Sequence, residues 1–284
     1  MLTDFIKPML CSSFKFKHIN SLDNGEWIAE EKFDGERVLF FIDFSKPYFR
    51  IQNRYRFDKS KIYPEFNLNS LKRVFSEKVV NCVLDGELIA VSKNFNDFQR
   101  RSHLTSSFKI NILKDTIPLK FVVFDVLMLN DKPTTHLTLK ERKQILTEIL
   151  NSQNNFLELT QIIEKNIKKF FEEVVKNNGE GIVCKWLKSH YEIDNRSNNW
   201  LKIKKKTTET FKVLGWNERS GRGNYGSLKT TNGDVGLLSK KNKEEYDKLV
   251  KEVGLERIWV EAVFQEKTKA NKLRFPIFQR LVVR

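Results

Sequence analysis

The segment EEKFDGERV at residues 30–38 concentrates charged side chains directly after the strand-like run WIA. Lys32 stands two residues before the Asp34-Gly35 pair, and Arg37 follows three residues after the aspartate. A lysine amine is a nucleophile when its surroundings hold it uncharged. The segment is therefore the first candidate for a reactive site.

Charged residues also interrupt several other segments that read as strands. They are Asp85 and Glu87, Asp125, Glu180 and Lys185, and Lys202 and Lys204. Strands within a core should be apolar, so a charge at one end of each of several strands indicates a shared cleft. Each segment alone has an ordinary interpretation, because a strand-end lysine is usually solvated and an Asp-Gly pair is often a turn. Their repetition along one chain favours the cleft.

Hydrophobic patterning predicts the strands that must hold these residues. Alternating apolar runs over 27–57 predict antiparallel strands with a hairpin near 44–47, and the run 79–91 is strand-like on both sides of its Asp-Gly pair. The run LKFVVFDVLML at 119–129 is apolar enough for a strand buried on both faces. The chain returns to strand after residue 179.

Two helices are predicted within the same region. Residues 138–150 carry Leu and Ile at helical spacing, and Thr138 and Glu141 match a capping box. Residues 161–178 have the same period and stop before Gly179, a typical C-cap residue. Strands and helices together predict an α+β fold.

The pattern changes after about residue 207. Short strand-like segments alternate with glycine-containing turns, and one helix is predicted within 237–255. A basic unit of about 78 residues with five short strands is typical of an OB-type barrel. A short hinge near 205–210 is predicted to separate domain 1–206 from domain 207–284.

The chain is strongly basic, and the charge is unevenly spread. Its 284 residues have a net charge of +15, and residues 201–284 hold 20 Lys and Arg against 10 Asp and Glu, or +10 of that total. Such a field attracts polyanions, which favours nucleic-acid binding over an ordinary metabolic enzyme. The alternative is that a Lys-rich composition serves solubility alone.

The cysteines and histidines show no pattern of their own. Three cysteines without a CxxC spacing predict no disulfide framework or zinc site, and the four histidines lack metal-ligand spacing. The N-terminus has no long apolar stretch, so neither a signal peptide nor a membrane span is predicted. We expect an intracellular protein that is not secreted.

The order and spacing of the charged segments resemble the covalent nucleotidyltransferases, and within them the ATP-dependent polynucleotide ligases. The superfamily signature Lys-x-Asp-Gly-x-Arg reads KFDGER here, from Lys32 to Arg37. The other motifs follow in the family's order: LDGEL (84–88), FVVFDVL (121–127), GEGIVCK (179–185), WLKIKK (200–205) and LRFPIFQR (273–280). The ordered set of motifs is a more specific sign of this superfamily than one KxDGxR motif alone. Its residues resemble those of ligases more than those of capping guanylyltransferases.

The resemblance implies a particular architecture. A nucleotidyltransferase domain of ATP-grasp-like antiparallel sheets with helices would be followed by a C-terminal OB-fold β-barrel. Only 31 residues precede Lys32, which implies a minimal, viral-type ligase without a large N-terminal DNA-binding domain. The last motif departs from the family, because the chain reads RLVVR to Arg284 without an acidic residue.

The resemblance makes Lys32 the nucleophile that attacks the α-phosphorus of ATP and carries AMP as a phosphoramidate. The amine must be uncharged, although its ordinary pKa is about 10.4. Nearby cations are expected to lower that pKa, and Gly35 is expected to let the backbone turn beside the nucleotide. The implied catalytic set is Lys32, Asp34, Arg37, Lys202 and Lys204.

The resemblance also implies an ATP site. Glu30 would accept a hydrogen bond from the adenine amino group, Phe124 would stack on the base with Val183 near its other face, and Arg274 would orient the pyrophosphate. The full expected nucleotide-binding set is Glu30, Lys32, Arg37, Arg54, Glu87, Phe124, Val183, Lys202, Lys204 and Arg274. Glu180 and Glu87 would hold Mg²⁺ or Mn²⁺, with Asp34 in support, because hard cations prefer carboxylate oxygens.

The predicted function is an ATP-dependent DNA ligase that seals 3′-OH/5′-phosphate nicks. It would act as a monomer on nicked duplex DNA in repair, replication or recombination, in the host cytoplasm or nucleus if it is viral. The alternatives are an RNA ligase or a capping guanylyltransferase, and, from another class, a nucleic-acid binder whose charged strand ends are inert. Covalent attachment of AMP, of GMP or of neither distinguishes a ligase, a guanylyltransferase and an inert binder, and sealing tests on DNA and RNA nicks distinguish the two ligases.

Overall fold

The computed structural model of the chain describes residues 5–150, 156–218, 226–236, 238–268 and 270–284. It divides into two compact units, Met1–Ile203 and Lys204–Arg284. Both units are α+β structures in which strands predominate. No helix in the described ranges is long and apolar enough to cross a membrane.

Two sheets form the first unit. Its strands are β1 (Leu10–Ser13), β2 (Trp27–Glu31), β3 (Glu36–Asp43), β4 (Tyr48–Asn53), β5 (Asn81–Ala90), β6 (Leu119–Leu129), β7 (Lys132–Pro133), β8 (Leu157–Leu159), β9 (Gly181–Trp186) and β10 (Arg196–Lys204). A four-stranded sheet has the order β1-β10-β9-β2. A six-stranded sheet has the order β4-β3-β5-β6-β7, with β8 paired to β6. The predicted hairpin is confirmed, because β3 and β4 are antiparallel and the turn between them spans 44–47.

The two sheets face each other across a small apolar cluster. Leu39 of β3 and Val83 of β5 meet Trp200 of β10 in this cluster. The opposite face of each sheet packs against helices: α1 (Leu68–Lys72), α2 (Phe95–Ser102), α4 (Leu139–Ile149) and their neighbour α3 (Ser107–Thr116) accompany the six-stranded sheet, and α5 (Ile167–Lys176) accompanies the other. We call the space between the two sheets, around this cluster, the cleft.

The two predicted helices are present with different bounds. The capping box of α4 is confirmed, since Thr138 and Glu141 exchange side-chain-to-backbone hydrogen bonds. Helix α5 begins later than predicted, because Ile163 pairs with Ala29 of β2 and is held extended. The prediction of Gly179 as the C-cap is wrong: the cap is Asn177, and Asn178 after it takes the left-handed conformation with φ 63°.

The second unit is a five-stranded sheet with one α-helix. Its strands β11 (Thr207–Asn217), β12 (Ser227–Thr230), β13 (Gly233–Val235), β14 (Ile258–Phe264) and β15 (Ile277–Val283) have the order β13-β12-β11-β14-β15, and α6 spans Lys240–Val253. Among the residues that the structure describes, a parallel bridge, Gly236 to Ile277, joins the two edges. The described part of this unit does not form a clearly closed barrel, so the barrel stays a prediction.

Candidate active site

The loop between β2 and β3 holds Lys32 in the cleft between the sheets. The Lys32 backbone N–H donates to the Gly181 carbonyl at 2.9 Å, which ties the loop to the start of β9. Its amine lies 2.6 Å from Glu180 Oε2; the lysine side chain is 25% exposed and the glutamate side chain 5%. Lys32 and Glu180, far apart in sequence, thus form one ion pair that solvent can still reach.

The electrostatic surroundings of Lys32 differ from the sequence-based expectation. Burial lowers the pKa of Lys32, but the carboxylates of Glu180 and Glu87 outweigh burial and raise it above its ordinary value. The prediction that neighbouring cations lower this pKa is therefore wrong for the protein without substrate. The sequence motif predicted cations near Lys32, but it did not indicate which carboxylates the fold brings to the Lys32 amine.

Arg37 points into the interior. Its Nε and Nη2 atoms donate to the two carboxylate oxygens of Asp85 at 3.0 and 2.6 Å, and Nη1 donates to the Met9 carbonyl at 2.6 Å. Tyr191 donates its hydroxyl to the same carboxylate at 2.7 Å. These hydrogen bonds of the Arg37 guanidinium group hold β3, β5 and the chain around Met9 together. A contact between Arg37 and a substrate stays a prediction.

Glu87 lies beside Arg37 on the paired strand. The register of β3 and β5 places Arg37 opposite Glu87. Burial raises the pKa of Glu87 to about 8, although Lys32 and Arg37 both act to lower it. Glu87 and Glu180 are two acidic groups that act on one lysine, and no group of three or more His, Cys, Asp or Glu with metal-binding geometry occurs within the described ranges.

Glu30, the predicted base-recognition residue, is nearly inaccessible and lies between two lysines. Lys185 Nζ is 2.7 Å from Glu30 Oε2, and Lys143 Nζ donates to Glu30 Oε1 and, at 2.6 Å, to the Phe124 carbonyl. Glu30, Lys143 and Lys185 therefore form one ionic cluster. Sequence analysis placed Lys185 among the cleft residues without a chemical role. It missed Lys143, whose position in an amphipathic helix is like that of any surface lysine.

An aromatic corner borders this carboxylate. Lys185 Nζ lies 4.3 Å from the Phe124 ring centroid and 4.0 Å from that of Trp200, distances typical of cation–π contacts. Val183 pairs with Glu30 across β2 and β9. Phe124, Val183 and Glu30, predicted to surround the base, therefore belong to one neighbourhood.

Buried apolar residues alternate with half-buried lysines along β10. Leu201 and Ile203 are buried in the cluster beneath α5, whereas Lys202 and Lys204 are half-buried. Lys202 belongs to the first unit and Lys204 begins the second. Their contact with phosphates stays a prediction.

Gly35 is needed for a reason that the sequence did not reveal. A Cβ atom at this position would lie 2.0 Å from the Leu88 carbonyl oxygen, so the loop can approach β5 only with glycine. Asp34 is half-buried in the same loop. The close approach fixes the loop against the six-stranded sheet, next to Lys32.

The remaining predicted residues lie elsewhere. Arg54 is exposed in the turn after β4, with its Cζ 5.2 Å from the Tyr55 ring centroid. Arg274 belongs to the second unit, where its Nη1 pairs with Glu266 Oε1 at 2.5 Å. The structure thus groups Glu30, Lys32 and Glu180 with their neighbours, and participation of Arg54 and Arg274 stays a prediction.

Comparison with known sequences gives a consistent family. Residues 8–204 match the family model described as ATP dependent DNA ligase domain. The DNA ligase of Nitrosopumilus maritimus is 30% identical over 239 residues, which cover 78% of this chain and 40% of that protein. DNA ligase 1 of Saccharomyces cerevisiae is 30% identical over 211 residues, or 70% and 28% of the two chains. The chain thus spans less than half the length of these relatives.

Comparison with solved structures agrees on the fold. The ligase domain of LigD from M. tuberculosis matches with a TM-score of 0.58 at 20% identity, over 98% of this chain and 95% of that one. A structure of a Lig E DNA ligase matches with a TM-score of 0.67 at 18% identity, over 96% and 99%. Both matches show a shared fold.

Proposed function

Because the chain belongs to the family of ATP-dependent DNA ligase domains, we propose that it seals 3′-OH/5′-phosphate nicks in duplex DNA through a covalent lysyl-AMP intermediate. The observation that carries the proposal is the position of the Lys32 amine, paired with Glu180 at 2.6 Å but still open to solvent. Three steps follow. The Lys32 amine attacks the α-phosphorus of ATP and releases pyrophosphate; the DNA 5′-phosphate then takes the AMP and releases Lys32; finally the 3′-OH attacks that 5′-phosphate and releases AMP.

Attack on the α-phosphorus requires Lys32 to lose its proton. Glu180 and Glu87 raise the pKa of its amine when they are ionised, so that charge must be compensated when ATP binds. Their carboxylate oxygens suit Mg²⁺ or Mn²⁺, and a bound divalent cation would supply charge neutralisation. Glu180 and Glu87 would therefore hold the divalent cation together with ATP.

We assign adenine recognition to Glu30. Its side chain is held by the Lys143 and Lys185 amines, and a carboxylate only accepts hydrogen bonds. The 6-amino group of adenine is a donor, whereas the 6-oxo group of guanine is an acceptor. Glu30 would therefore favour ATP over GTP, with Phe124 and Val183 holding the ring.

The remaining basic residues would bind phosphates. Arg37, Arg54, Lys202 and Lys204 are assigned to the ribose, the triphosphate or the nick phosphate, with Asp34 supporting the later steps. Arg274 would orient the pyrophosphate from a second, OB-fold domain (207–284), next to an adenylyltransferase domain (1–206). The five-stranded sheet of the second unit and its edge-to-edge bridge support that assignment.

DNA binding would be directed mainly at the phosphate backbone. The net charge of +15 supports strong, salt-dependent binding with little sequence preference. The protein would act as an intracellular monomer on nicked duplexes.

The direct test is sealing of a 5′-labelled nicked duplex with ATP and Mg²⁺. Wild-type protein should join the strands, Lys32→Ala should fail, and Lys169→Ala, a change at an exposed lysine of α5, should act as wild type. Sealing by Lys32→Ala, or sealing of nicked RNA but not DNA, would overturn the proposal.

A further inference from the structure

Two aromatic rings project into solvent from the turn that follows β4. Tyr55 is 67% exposed and Phe57 66% exposed. The two rings alternate with Arg54 and Arg56 in the sequence RYRFDKSK, residues 54–61, which we call the basic-aromatic turn. Scattered exposed aromatics are ordinary, but two that alternate with arginines in one short turn indicate a binding surface.

The turn is built to hold these rings outward. The Asn53 side-chain oxygen accepts hydrogen bonds from the backbone N–H groups of Tyr55 and Phe57, both at 3.0 Å. The Asn53 backbone N–H donates to the Phe57 carbonyl at 3.0 Å, and Arg56 takes the left-handed conformation with φ 68°. A loop fixed by its own backbone loses little conformational entropy when a ligand binds.

The same asparagine links the turn to the candidate active site. Asn53 is almost completely buried and donates its side-chain amide to Glu36 Oε1 at 3.0 Å. Glu36 belongs to the KFDGER motif that carries Lys32 and is also held by the Tyr63 hydroxyl at 2.8 Å. A ligand on the turn would therefore lie on the same framework as the nucleophile loop.

The charges of the turn indicate what it binds. Residues 54–61 contain four Lys or Arg and one Asp, and the Arg54 Cζ lies 5.2 Å from the Tyr55 ring centroid. The centre of a protein–protein contact is usually depleted of charge, whereas single-stranded nucleic acid is bound by aromatic faces for the bases and cations for the phosphates. A fully paired duplex offers no open base face, so the fitting ligand is an unpaired base.

We propose that the basic-aromatic turn binds an unpaired nucleobase of the DNA substrate, by stacking on Tyr55 or Phe57 while Arg54 and Arg56 contact the adjoining phosphates. This inference rests on the proposed nick-sealing function and extends it to frayed or damaged nicks. The turn would give the protein a preference for nicks with a base displaced from the helix over fully paired nicks.

The test uses nicked duplexes that contain 2-aminopurine, a fluorescent base that is quenched by stacking. The base stands next to the nick, either opposite an abasic site or paired with thymine. Wild-type protein should quench the unpaired probe and bind that duplex at least about fivefold more tightly than the paired one. Tyr55→Ser/Phe57→Ser should lose the quenching and this preference.

Two further variants separate stacking from other causes. Phe108→Ser removes a ring that is 72% exposed on α3 and should behave as wild type. Tyr55→Leu/Phe57→Leu keeps apolar area without a π-face and should lose the quenching. Unchanged quenching in either double variant, or equal loss in Phe108→Ser, would overturn the proposal.

The failure of this inference can be told from failure of the proposed function. Wild-type protein incubated with labelled ATP reports lysyl-AMP formation independently of the turn. If AMP is attached but both double variants quench the probe as wild type does, the basic-aromatic turn alone is misassigned. If no AMP is attached to wild-type protein, the nick-sealing function itself is wrong.

Discussion

Two kinds of ion pair meet in the cleft of the first unit, and they differ in accessibility and in geometry. Arg142 and Asp125 are fully buried, and the guanidinium donates to both carboxylate oxygens at 2.7 and 3.0 Å. Lys32 and Glu180 share one contact, and the lysine keeps a quarter of its surface exposed. The forked arginine pair fixes the framework, whereas the single, partly exposed lysine contact suits the exchange for a substrate that we propose.

Loss of the buried Arg142–Asp125 ion pair should have the largest effect on the free energy of unfolding. Arg142→Met removes the partner of Asp125 and two hydrogen bonds to the Leu137 and Ser189 carbonyls. An uncompensated buried charge costs about 3–5 kcal/mol, which urea unfolding should record as a lower free energy of unfolding. Lys140→Met, at an exposed position of the same helix, is the matched control and should change stability little. Equal stability of the two variants would contradict the comparison.

The second test changes Gly35, which positions the loop that carries Lys32. Gly35→Ala forces a Cβ to within 2.0 Å of the Leu88 carbonyl, so the loop must shift. Overpacking of this kind costs about 1–3 kcal/mol, and displacement of Lys32 should slow AMP attachment. Gly236→Ala serves as control, because nothing lies within 4 Å of its added Cβ. Unchanged rates of AMP attachment in Gly35→Ala would show that the loop position is not critical.

Glu30 is buried between two lysines, and we propose that it also binds adenine. Glu30→Gln keeps the size of the side chain but adds a donor, so the preference for ATP over ITP in AMP or IMP attachment should fall about tenfold, or 1.4 kcal/mol. Glu31→Gln, on the adjacent half-buried residue, should keep the preference. If the Glu30 variant discriminates as well as wild type, the carboxylate does not read the base.

The smallest effect is expected where a cation is exposed. Lys206 is exposed after β10 and is expected to face DNA. Lys206→Ala should reduce the slope of log affinity against log salt concentration by about one, as for one lost phosphate contact. Titrations of a nicked duplex at several salt concentrations measure this slope, and an unchanged slope would place Lys206 outside the DNA surface.

Sequence patterning predicted the framework well where it depends on local periodicity. Strand β6 coincides with the predicted 119–129, and the capping box of α4 follows directly from Thr138 and Glu141. The late start of α5 was not predictable from its period, because the pairing of Ile163 with Ala29 is a long-range contact.

The sequence predicted that Glu30, Lys32 and Glu180 share one cleft, but it predicted neither Lys143 as a partner of Glu30 nor the electrostatics around Lys32. The motif spacing identified Lys32, Glu180 and Glu30, yet the partners of each depend on which side chains the fold brings together. The pairing of Lys143 with Glu30 joins a helix to a strand more than a hundred residues away. The raised pKa of Lys32 likewise arises from two carboxylates on other strands and loops.

Mass spectrometry of Lys32 tests the central claim most directly. Protein incubated with ATP and Mg²⁺ is digested under conditions that preserve phosphoramidates, and the peptide that contains KFDGER is sequenced. The account predicts one AMP on the Lys32 amine, and none in Lys32→Arg protein, whose guanidinium keeps the charge but is not a nucleophile. Absence of the adduct, or an adduct on another lysine, would contradict it.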